Sequence, residues 1–183
     1  DYGEESSQMN ATIKDMIERR SVRKFKPDAV PQALVDEVIE AGLYAASGKG
    51  KQSPIIIAVT NPDLRTRLAQ DNCRIGGWKE GFDPFYGAPV ILMVLAPKDV
   101  HTAVEDGSLV LGNLMLAGHA LGLGTIWINR AKEAFEEPYY KELLKKIGVE
   151  GEYIGVGHCA LGYCDGDLPK PPARHPNRVY YVS

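Results

Sequence analysis

Three arginines and one serine stand close together near the start of this 183-residue chain: Arg19, Arg20, Ser21 and Arg23. The formal net charge of the chain is -3, so the cluster concentrates positive charge against an acidic background. A guanidinium presents a planar fork of N–H donors and a serine hydroxyl adds another, a combination suited to a phosphate monoester. A solvated basic helix end, favoured by the helix dipole, is the alternative interpretation.

A short amphipathic helix is expected directly before this arginine cluster. Thr12 is predicted to cap its N-terminus, with Asp15 three residues later as a weak capping box. Ile13, Met16 and Ile17 recur at helical spacing and predict one apolar face. The arginine cluster is therefore expected at the end of a packed helix, where the backbone turns.

A second polar segment follows the next predicted helix, whose apolar stripe runs from Leu34 to Leu43. This segment spans residues 45–54 and contains four small or polar residues of interest: Ser47, Gly48, Gly50 and Gln52. A phosphate-binding P-loop would follow a strand and open a helix. Here a buried strand is predicted after the segment instead, at residues 55–60, so the P-loop interpretation fails.

The remaining hydrophobic pattern predicts further helices and strands. Three helices are predicted at about residues 64–69, 106–122 and 136–147. Four strands are predicted at about residues 88–95, 125–128, 153–163 and 179–182. The last strand follows an extended proline-rich basic tail, and it is expected to pair with a distant sheet that a partner subunit could supply.

Residues 71–85 are predicted to form an irregular loop, because glycine and proline interrupt them repeatedly. Four aromatic residues lie in or beside this loop: Trp78, Phe82, Phe85 and Tyr86. They could form a lid or a pocket wall, or they could simply pack the loop onto the surface. The pattern leaves these two interpretations open.

Composition limits the class of protein. Hydrophobic residues make up 44% of the chain and charged residues 25%, which is ordinary for a globular protein. A pI near 5.8 argues against a nucleic-acid-binding protein. No apolar run reaches the about 18 residues that suggest a membrane span. Three scattered cysteines, Cys73, Cys159 and Cys164, indicate free thiols and a reducing compartment, which predicts a cytoplasmic protein.

The first eight residues differ from the rest in being polar and acidic. We expect residues 1–8 to be disordered or an added segment, with Met9 as the natural start. Residues 9–183 are expected to form a single domain, since this length is enough for one substantial core.

Catalytic side chains are not evident in the sequence. No nucleophile motif or acid–base pair is present, and the C-terminal histidines and cysteines lack the spacing of metal ligands, so no metal site is expected. A chain with anion-binding segments but no catalytic side chains is expected to take its chemistry from a cofactor.

Several motifs, taken in order, resemble the FMN-dependent nitroreductase family. They cover the chain from about residue 12 to its end. The matching segments are Glu18–Phe25, Ala46–Ser53, Asp83–Val90, Asn113–Ala117, Leu121–Ile128 and Ala160–Tyr163, followed by Arg174. Each segment alone is weakly specific, whereas the ordered set is specific to the family.

The resemblance implies a fold and an assembly. The fold is α+β, with a mixed, largely antiparallel sheet flanked by helices. The assembly is an intertwined homodimer with two FMN sites at the subunit interface, and neither nucleic acid nor membrane is expected as a partner.

The resemblance also implies which residues bind FMN. Arg19, Arg20, Ser21 and Arg23 resemble the ligands of its phosphate, ribityl chain and pyrimidine edge. Two basic residues of the tail resemble further phosphate ligands: Arg174 and Lys170. Four residues match a loop that the partner subunit places against the flavin: Ser47, Gly48, Gly50 and Gln52.

A third set of residues resembles the surroundings of the flavin ring. Asn72 is similar to an asparagine near its polar edge, and Trp127, Ile128, Asn129 and Arg130 match the segment behind it. The backbone N–H of Asn129 is expected near flavin N5, where a fixed amide stabilises developing charge. No side chain is expected to act as an indispensable acid or base.

The activity implied by the resemblance is hydride transfer from NAD(P)H to FMN, followed by reduction of a nitroaromatic or quinone acceptor. Relatives often carry asparagine at the position of Gly50 and a proline–aromatic pair at Ser53–Pro54. We expect these differences to affect the choice of acceptor more than the binding of FMN. The same fold also hosts reductive dehalogenation and flavin fragmentation. A non-enzymatic module that binds a phosphate ligand is the alternative from a different class.

Overall fold

The computed structural model describes residues 9–183. The prediction that residues 1–8 are disordered or added lies outside the described residues. Across residues 9–183, each helix is too short or too polar to cross a bilayer.

The described residues form six helices and four strands. The helices are α1 (Ala11–Glu18), α2 (Gln32–Leu43), α3 (Pro62–Gly76), α4 (Ala103–Ala120), α5 (Ala131–Ala134) and α6 (Pro138–Lys146). The strands are β1 (Ile55–Val59), β2 (Val90–Pro97), β3 (Gly124–Ile128) and β4 (Tyr153–Gly162). A short 3₁₀ turn occupies Gly48–Gly50.

The four strands form one sheet in the order β1-β2-β4-β3, and every neighbouring pair is antiparallel. Both faces of this sheet are covered, so the central strand β2 is a continuous apolar run that is buried almost throughout. One face packs on α3 and α6 through residues such as Met93 and Tyr140. The other packs on α2 and α4 through residues such as Leu92 and Leu114. The predicted α+β fold is confirmed.

Helix α2 lies directly against α4. A Cβ atom built at Gly42 would stand 2.5 Å from the Leu114 side chain, so only glycine fits at this crossing. The side chain of Asn113 adds a hydrogen bond, because its Nδ2 donates to the Ala41 carbonyl at 2.9 Å. The two helices are therefore closely packed at this crossing.

The N-terminal cap of α1 differs from the prediction. The cap is Asn10 rather than Thr12, because the Asn10 carboxamide oxygen accepts from the backbone N–H of Thr12 at 2.9 Å and from that of Ile13. The expected apolar face is present, but it does not pack against the rest of this chain. Ile13, Met16 and Ile17 are each about half exposed.

Helix α3 is longer than predicted. The loop expected from Asp71 was wrong for its first six residues, because the helix continues to Gly76 and ends where Gly77 adopts a left-handed conformation with φ of 72°. At the other end of α3, Asn61 is the N-cap, because its side-chain oxygen accepts from the Leu64 N–H at 3.0 Å. The four-residue helix α5 was not predicted.

The C-terminal tail, residues 165–183, contains no helix or strand, and its side chains are exposed. Residues 179–182 pair with no strand among residues 9–183, so the predicted pairing with a partner subunit's sheet stays a prediction. A strand requires a neighbouring backbone to complete its hydrogen bonds. Val179, Tyr180, Tyr181 and Val182 are each at least 69% exposed.

His158 is an unusual member of the core. It lies on β4 opposite Met93 of β2 and Ile128 of β3, and its ring meets the Phe85 ring edge-on at 5.6 Å. The side chain is completely buried, and neither ring nitrogen has a hydrogen-bond partner among residues 9–183. Burial lowers the pKa of His158 to about 3, so the folded protein keeps this imidazole neutral.

The His158 imidazole makes stability depend on pH. Between the ordinary histidine pKa of about 6.5 and the folded value, the unfolded chain binds the extra proton, so the free energy of unfolding falls as pH falls. We expect a loss of about 2 kcal/mol between pH 7.5 and pH 5, measured by urea unfolding. His158→Met should remove this loss, whereas His101→Gln, on an exposed turn, should retain it. An unchanged pH dependence in His158→Met would contradict the assignment.

Candidate functional site

The residues after α1 are fixed to the edge of the sheet by their backbone. Val22 donates its N–H to the Thr125 carbonyl at 2.9 Å, and Ser21 forms a parallel bridge with the same residue. Phe25 forms an antiparallel bridge with Cys164, just beyond β4. The arginine cluster (Arg19, Arg20, Ser21 and Arg23) therefore lies beside β3, at the edge of the sheet.

The arginine cluster contains buried donors that have no acceptor. Arg20 donates through Nη1 to the carbonyls of Ile17 and Arg19, which completes the C-terminal end of α1. Among residues 9–183, the buried atoms Arg19 Nη1 and Arg20 Nε have no hydrogen-bond partner. An unsatisfied buried donor is costly, and more so on a charged group. These two atoms therefore fit an anionic ligand such as a phosphate.

A cavity of about 270 Å³ lies next to the arginine cluster. It brings together six of the predicted site residues: Arg23, Asn72, Trp127, Ile128, Asn129 and Arg130. Its other lining residues are Trp78, Phe82, Pro84, Tyr86 and Ile126. The lining contains two arginines, two asparagines and no carboxylate, so the cavity is apolar and aromatic with positive and amide groups at its polar edge.

The turn between β3 and α5 is held by two side chains. Asn72 of α3 donates through Nδ2 to the Asn129 carbonyl at 2.9 Å. The Arg130 N–H donates to the Asn129 side-chain oxygen at 2.8 Å, and Arg130 has a left-handed φ of 80°. A left-handed non-glycine residue of this kind is strained, and such strain is concentrated at functional sites. The predicted contact of the Asn129 N–H with flavin N5 stays a prediction.

Three of the four loop aromatics form one wall of this cavity. The Trp78 and Phe82 rings lie 5.4 Å apart, and the Phe82 and Tyr86 rings meet edge-on at 6.0 Å. Phe85 instead points into the core and is completely buried. The sequence left open whether these aromatic residues form a pocket wall or pack the loop down. Trp78, Phe82 and Tyr86 form a pocket wall, whereas Phe85 packs into the core.

A buried network on α3, next to this cavity, was missed in the sequence. Asp71 accepts hydrogen bonds from Tyr140 Oη at 2.7 Å, from Arg67 Nε at 2.9 Å and from Arg74 Nη2 at 3.3 Å. Burial acts to raise the pKa of Asp71, but the bonds from Tyr140, Arg67 and Arg74 outweigh it and hold the pKa below its ordinary value. The Arg67–Asp71–Arg74 spacing was the available signal, since it places all three on one helix face.

Residues 47–52, the loop predicted to come from the partner subunit, lie at the N-terminal end of α4. The arginine cluster lies near the C-terminal end of the same helix. Asp106 of α4 accepts from the Gly48 N–H at 2.9 Å and from the Thr102 hydroxyl at 2.7 Å. Ser47 Oγ accepts from the Gln52 N–H at 2.9 Å, which closes the loop on itself. Gly50 lies at its tip with a left-handed φ of 63°.

The length of α4 separates this loop from the arginine cluster. The helix has 18 residues and is about 27 Å long. Its N-terminal turn holds the loop, whereas its last turns lie against Thr125 and α1. A single chain therefore does not bring the two predicted halves of the site together.

The two predicted tail residues are also separate from the cluster. Lys170 and Arg174 lie on the extended tail and are exposed. Arg174 donates to the Pro172 carbonyl at 2.9 Å, and no hydrogen bond or ion pair within residues 9–183 joins either residue to the arginine cluster. Their predicted role at the phosphate stays a prediction.

One group of potential metal-ligating side chains occurs among the described residues. It consists of Asp15, Glu18 and His119, whose ligand atoms lie within 4.8 Å of one another between α1 and α4. The His119 Nε2 to Asp15 Oδ1 distance is 3.8 Å. This geometry fits a surface charge pair, and the group is separate from the residues that line the cavity.

The fold and the site define an α+β protein with an arginine cluster and a small aromatic cavity beside one sheet edge. The model of the Nitroreductase family matches residues 16–74 and 77–163, which is more than half of the chain. The protein belongs to the Nitroreductase family.

Known proteins similar to this chain are consistent with that membership. A nitroreductase of Bacteroides fragilis, solved with bound FMN, is 26% identical, with a TM-score of 0.87 over 96% of this chain and 100% of that one. An FMN reductase [NAD(P)H] of Bacillus subtilis is 25% identical over 68% of this chain. An NADPH-flavin oxidoreductase of Vibrio harveyi is 26% identical over 66% of it. The chain spans only 56% and 54% of the lengths of these two curated relatives.

The contact between Asp106 and the loop can be tested directly. Asp106→Ala removes a buried acceptor and leaves the Gly48 N–H and the Thr102 hydroxyl, both of partly buried residues, without it, so we expect a loss of about 1–3 kcal/mol in the free energy of unfolding. Hydrogen exchange in residues 47–52 should accelerate. Glu105→Ala is the matched control, because it removes an exposed charge from the same helix turn. Equal exchange in the two variants would show that Asp106 does not hold the loop.

Proposed function

We propose that this protein binds FMN and acts as an oxidoreductase that passes reducing equivalents from NAD(P)H to a nitroaromatic or quinone-type acceptor. The observation that carries the proposal is the pair of buried, unpartnered guanidinium atoms, Arg19 Nη1 and Arg20 Nε, beside the aromatic cavity. Family membership and the FMN-bound B. fragilis relative support it.

The chain's own residues have distinct tasks in this proposal. Arg19, Arg20 and Ser21 bind the phosphate, because permanently charged forks of donors match its oxygens. Arg23 and Asn72 contact the polar edge of the ring system. When bound, FMN supplies the two-electron chemistry that the side chains lack. The Asn129–Arg130 peptide is held rigidly by its neighbours, so it presents a fixed dipole to the ring.

The proposed acceptor side of the cavity is aromatic. Trp78, Phe82 and Tyr86 offer flat apolar surfaces that suit a planar acceptor. The cavity lining has no carboxylate, so an electron-poor or anionic ring meets no repulsion there. No side chain in the cavity is required as an acid or base.

We infer that the working form is a homodimer in which the partner's loop completes each site. The separation of residues 47–52 from the arginine cluster along α4 supports this inference. The exposed apolar face of α1 and the exposed apolar end of the tail support it too, because monomeric proteins seldom leave such surfaces uncovered. The same assembly would bring Lys170 and Arg174 of one copy towards the phosphate site of the other.

FMN binding is the first test of the proposal. The protein should take up FMN, show a flavin absorption spectrum, and lose the visible band when NAD(P)H is added; a nitroaromatic or quinone should restore it. Arg19→Ala should weaken FMN binding by about 1.5–3 kcal/mol, the scale of a charge-assisted hydrogen bond. Lys24→Ala is the control, because Lys24 is exposed and pairs only with Asp165.

Three other outcomes of the FMN-binding experiment would contradict parts of the proposal. A protein that does not take up FMN would refute the flavoenzyme and leave a module for another phosphate ligand. Bound flavin that NAD(P)H does not reduce would indicate a specialised flavoprotein, such as a reductive dehalogenase. Equal FMN affinity in Arg19→Ala and wild type would show that this arginine is not a phosphate ligand.

A mixing experiment tests whether two copies share one site. Arg19→Ala removes a cluster residue, and Gln52→Gly removes a loop side chain at a backbone position with a left-handed φ of 51° that glycine adopts without strain. Refolding the two variants together at equal amounts should restore wild-type FMN affinity in about one quarter of the sites, because half of the dimers carry one intact site.

The refolded variants kept separate are the control for the mixture, and both should bind weakly. No recovery in the mixture would place each site within one copy. A monomeric mass by light scattering in the presence of FMN would also contradict the shared site.

A further inference from the structure

Helix α3 is joined to α6 by the buried Asp71 network. Tyr140 is completely buried, and its hydroxyl donates to Asp71 at 2.7 Å. The two arginines that also bind Asp71 are about half exposed, with side-chain exposures of 47% for Arg67 and 58% for Arg74. Solvent weakens those two ion pairs. The Tyr140–Asp71 hydrogen bond is therefore the strongest single contact in the network, because it lies in a low-dielectric environment.

The first turn of α6 makes further contacts with the same face of α3. Arg74 donates to both Glu137 oxygens, at 2.8 and 2.9 Å. The Arg67 guanidinium lies over the Tyr139 ring at 3.9 Å. Three residues at the start of α6, the N-cap Glu137 together with Tyr139 and Tyr140, therefore oppose rotation or sliding of α3 around Asp71.

The next residue of α3 faces the candidate cofactor site. Consecutive helix residues point about 100° apart, so Asp71 faces α6 while Asn72 faces the turn after β3. Asn72 is 3% exposed and donates to the Asn129 carbonyl at 2.9 Å. The rotation of α3 about its own axis therefore determines whether Asn72 reaches this carbonyl.

We propose that Tyr140 and Asp71 are positioning residues, whose hydrogen bond fixes α3 so that Asn72 holds the Asn129–Arg130 peptide against the cofactor. The proposal rests on the proposed function. It extends that function to a buried pair on the far side of α3, which touches neither cofactor nor acceptor. The low pKa of Asp71 agrees with it, because a permanently ionised carboxylate keeps all three donors in place.

Tyr140→Phe is the cleanest variant, because it removes one hydroxyl and leaves the ring and both arginines. Two measurements report the effect of Tyr140→Phe on the turn after β3 and on bound FMN. The first is hydrogen exchange of the backbone amides of residues 129–131 in the protein without FMN. The second is the ratio of the dissociation constants of oxidised and reduced FMN, which reports the reduction potential of the bound flavin; a tenfold change corresponds to about 30 mV for two electrons.

We expect Tyr140→Phe to accelerate exchange in residues 129–131 at least threefold and to change the FMN ratio at least threefold. Asn72→Ala should change both quantities in the same direction. The double variant should change no further than Asn72→Ala alone, because both substitutions act through one contact. Asp71→Asn, which keeps the side-chain shape, serves if Tyr140→Phe does not fold.

Leu144→Ala is the control for lost stability. Leu144 lies on the same helix as Tyr140 and is buried in the core, away from Asp71. It should lower the melting temperature while leaving exchange at residues 129–131 and the FMN ratio near wild type. Equal effects of Leu144→Ala and Tyr140→Phe on both quantities would overturn the proposal.

The remaining outcomes separate this proposal from the proposed function. Unchanged exchange and an unchanged FMN ratio in Tyr140→Phe would overturn the positioning role, even if FMN binds as expected. Failure of the wild-type protein to bind FMN would refute the flavoenzyme. In that case the exchange measurement still decides whether Tyr140 controls the turn after β3.

Discussion

The rigidity of α4 is the constraint on which the rest of the structure depends. This helix is buried against the sheet on one side and against α2 on the other, and close contacts at Gly42 and Gly118 prevent it from rotating. Its N-terminal turn holds the loop of residues 47–52, and its C-terminal end supports the strand beside the arginine cluster. A rod about 27 Å long cannot bring its own ends together. The loop of residues 47–52 and the arginine cluster therefore lie near opposite ends of this helix.

The arginine cluster is positioned by backbone contacts, so its placement does not depend on long side chains. The hydrogen bond from Val22 to Thr125 joins the segment to the sheet edge, and the bridge from Phe25 to Cys164 fixes its far end. Opposite the cluster, the strained Arg130 and the hydrogen-bonded Asn129 form an equally fixed turn. Of the left-handed non-glycine residues, Tyr86 and Arg130 line the cavity, Lys49 and Gln52 lie in the loop of residues 47–52, and Asn177 lies on the tail. Most of these departures from ideal geometry are therefore at predicted site residues or in the cavity lining, where a functional site is expected to carry them.

Much of the fold was predictable because apolar periodicity is a local signal. The strands of the sheet and the helices α2 and α4 were located within a few residues. The end of α3 was misplaced, because Gly76 and the aromatic residues after it resemble a loop, and this error concealed Asp71. The partner of Asp71 is Tyr140, 69 positions away in the chain, and such a long-range contact has no signal in a single sequence. The strand predicted at residues 179–182 is not part of the sheet formed by residues 9–183, so its pairing stays a prediction.

The residues predicted for the candidate site fall into two groups in the structure. Arg23, Asn72 and residues 127–130 meet in one cavity, whereas the loop and tail residues remain elsewhere. The resemblance to a family located individual residues, but only the structure shows which of them one chain can bring together. The motifs are local in sequence, and their convergence depends on the packing of α3, β3 and the segment after α1.

The described residues contain buried side-chain polar atoms without partners in His158, in Ser53 and in the pair Arg19 and Arg20, and the difference between the histidine and the arginines indicates function. His158 has no acceptor or donor for its ring nitrogens, yet it loses its proton and becomes neutral, so the core tolerates it. Arginine cannot be deprotonated in a protein. The unpartnered atoms of Arg19 and Arg20 therefore stay charged, and nothing within the described chain neutralises them. Buried donors that stay charged suit an anionic ligand, and the family membership and the cavity lined by Arg23 agree with the FMN binding proposed above.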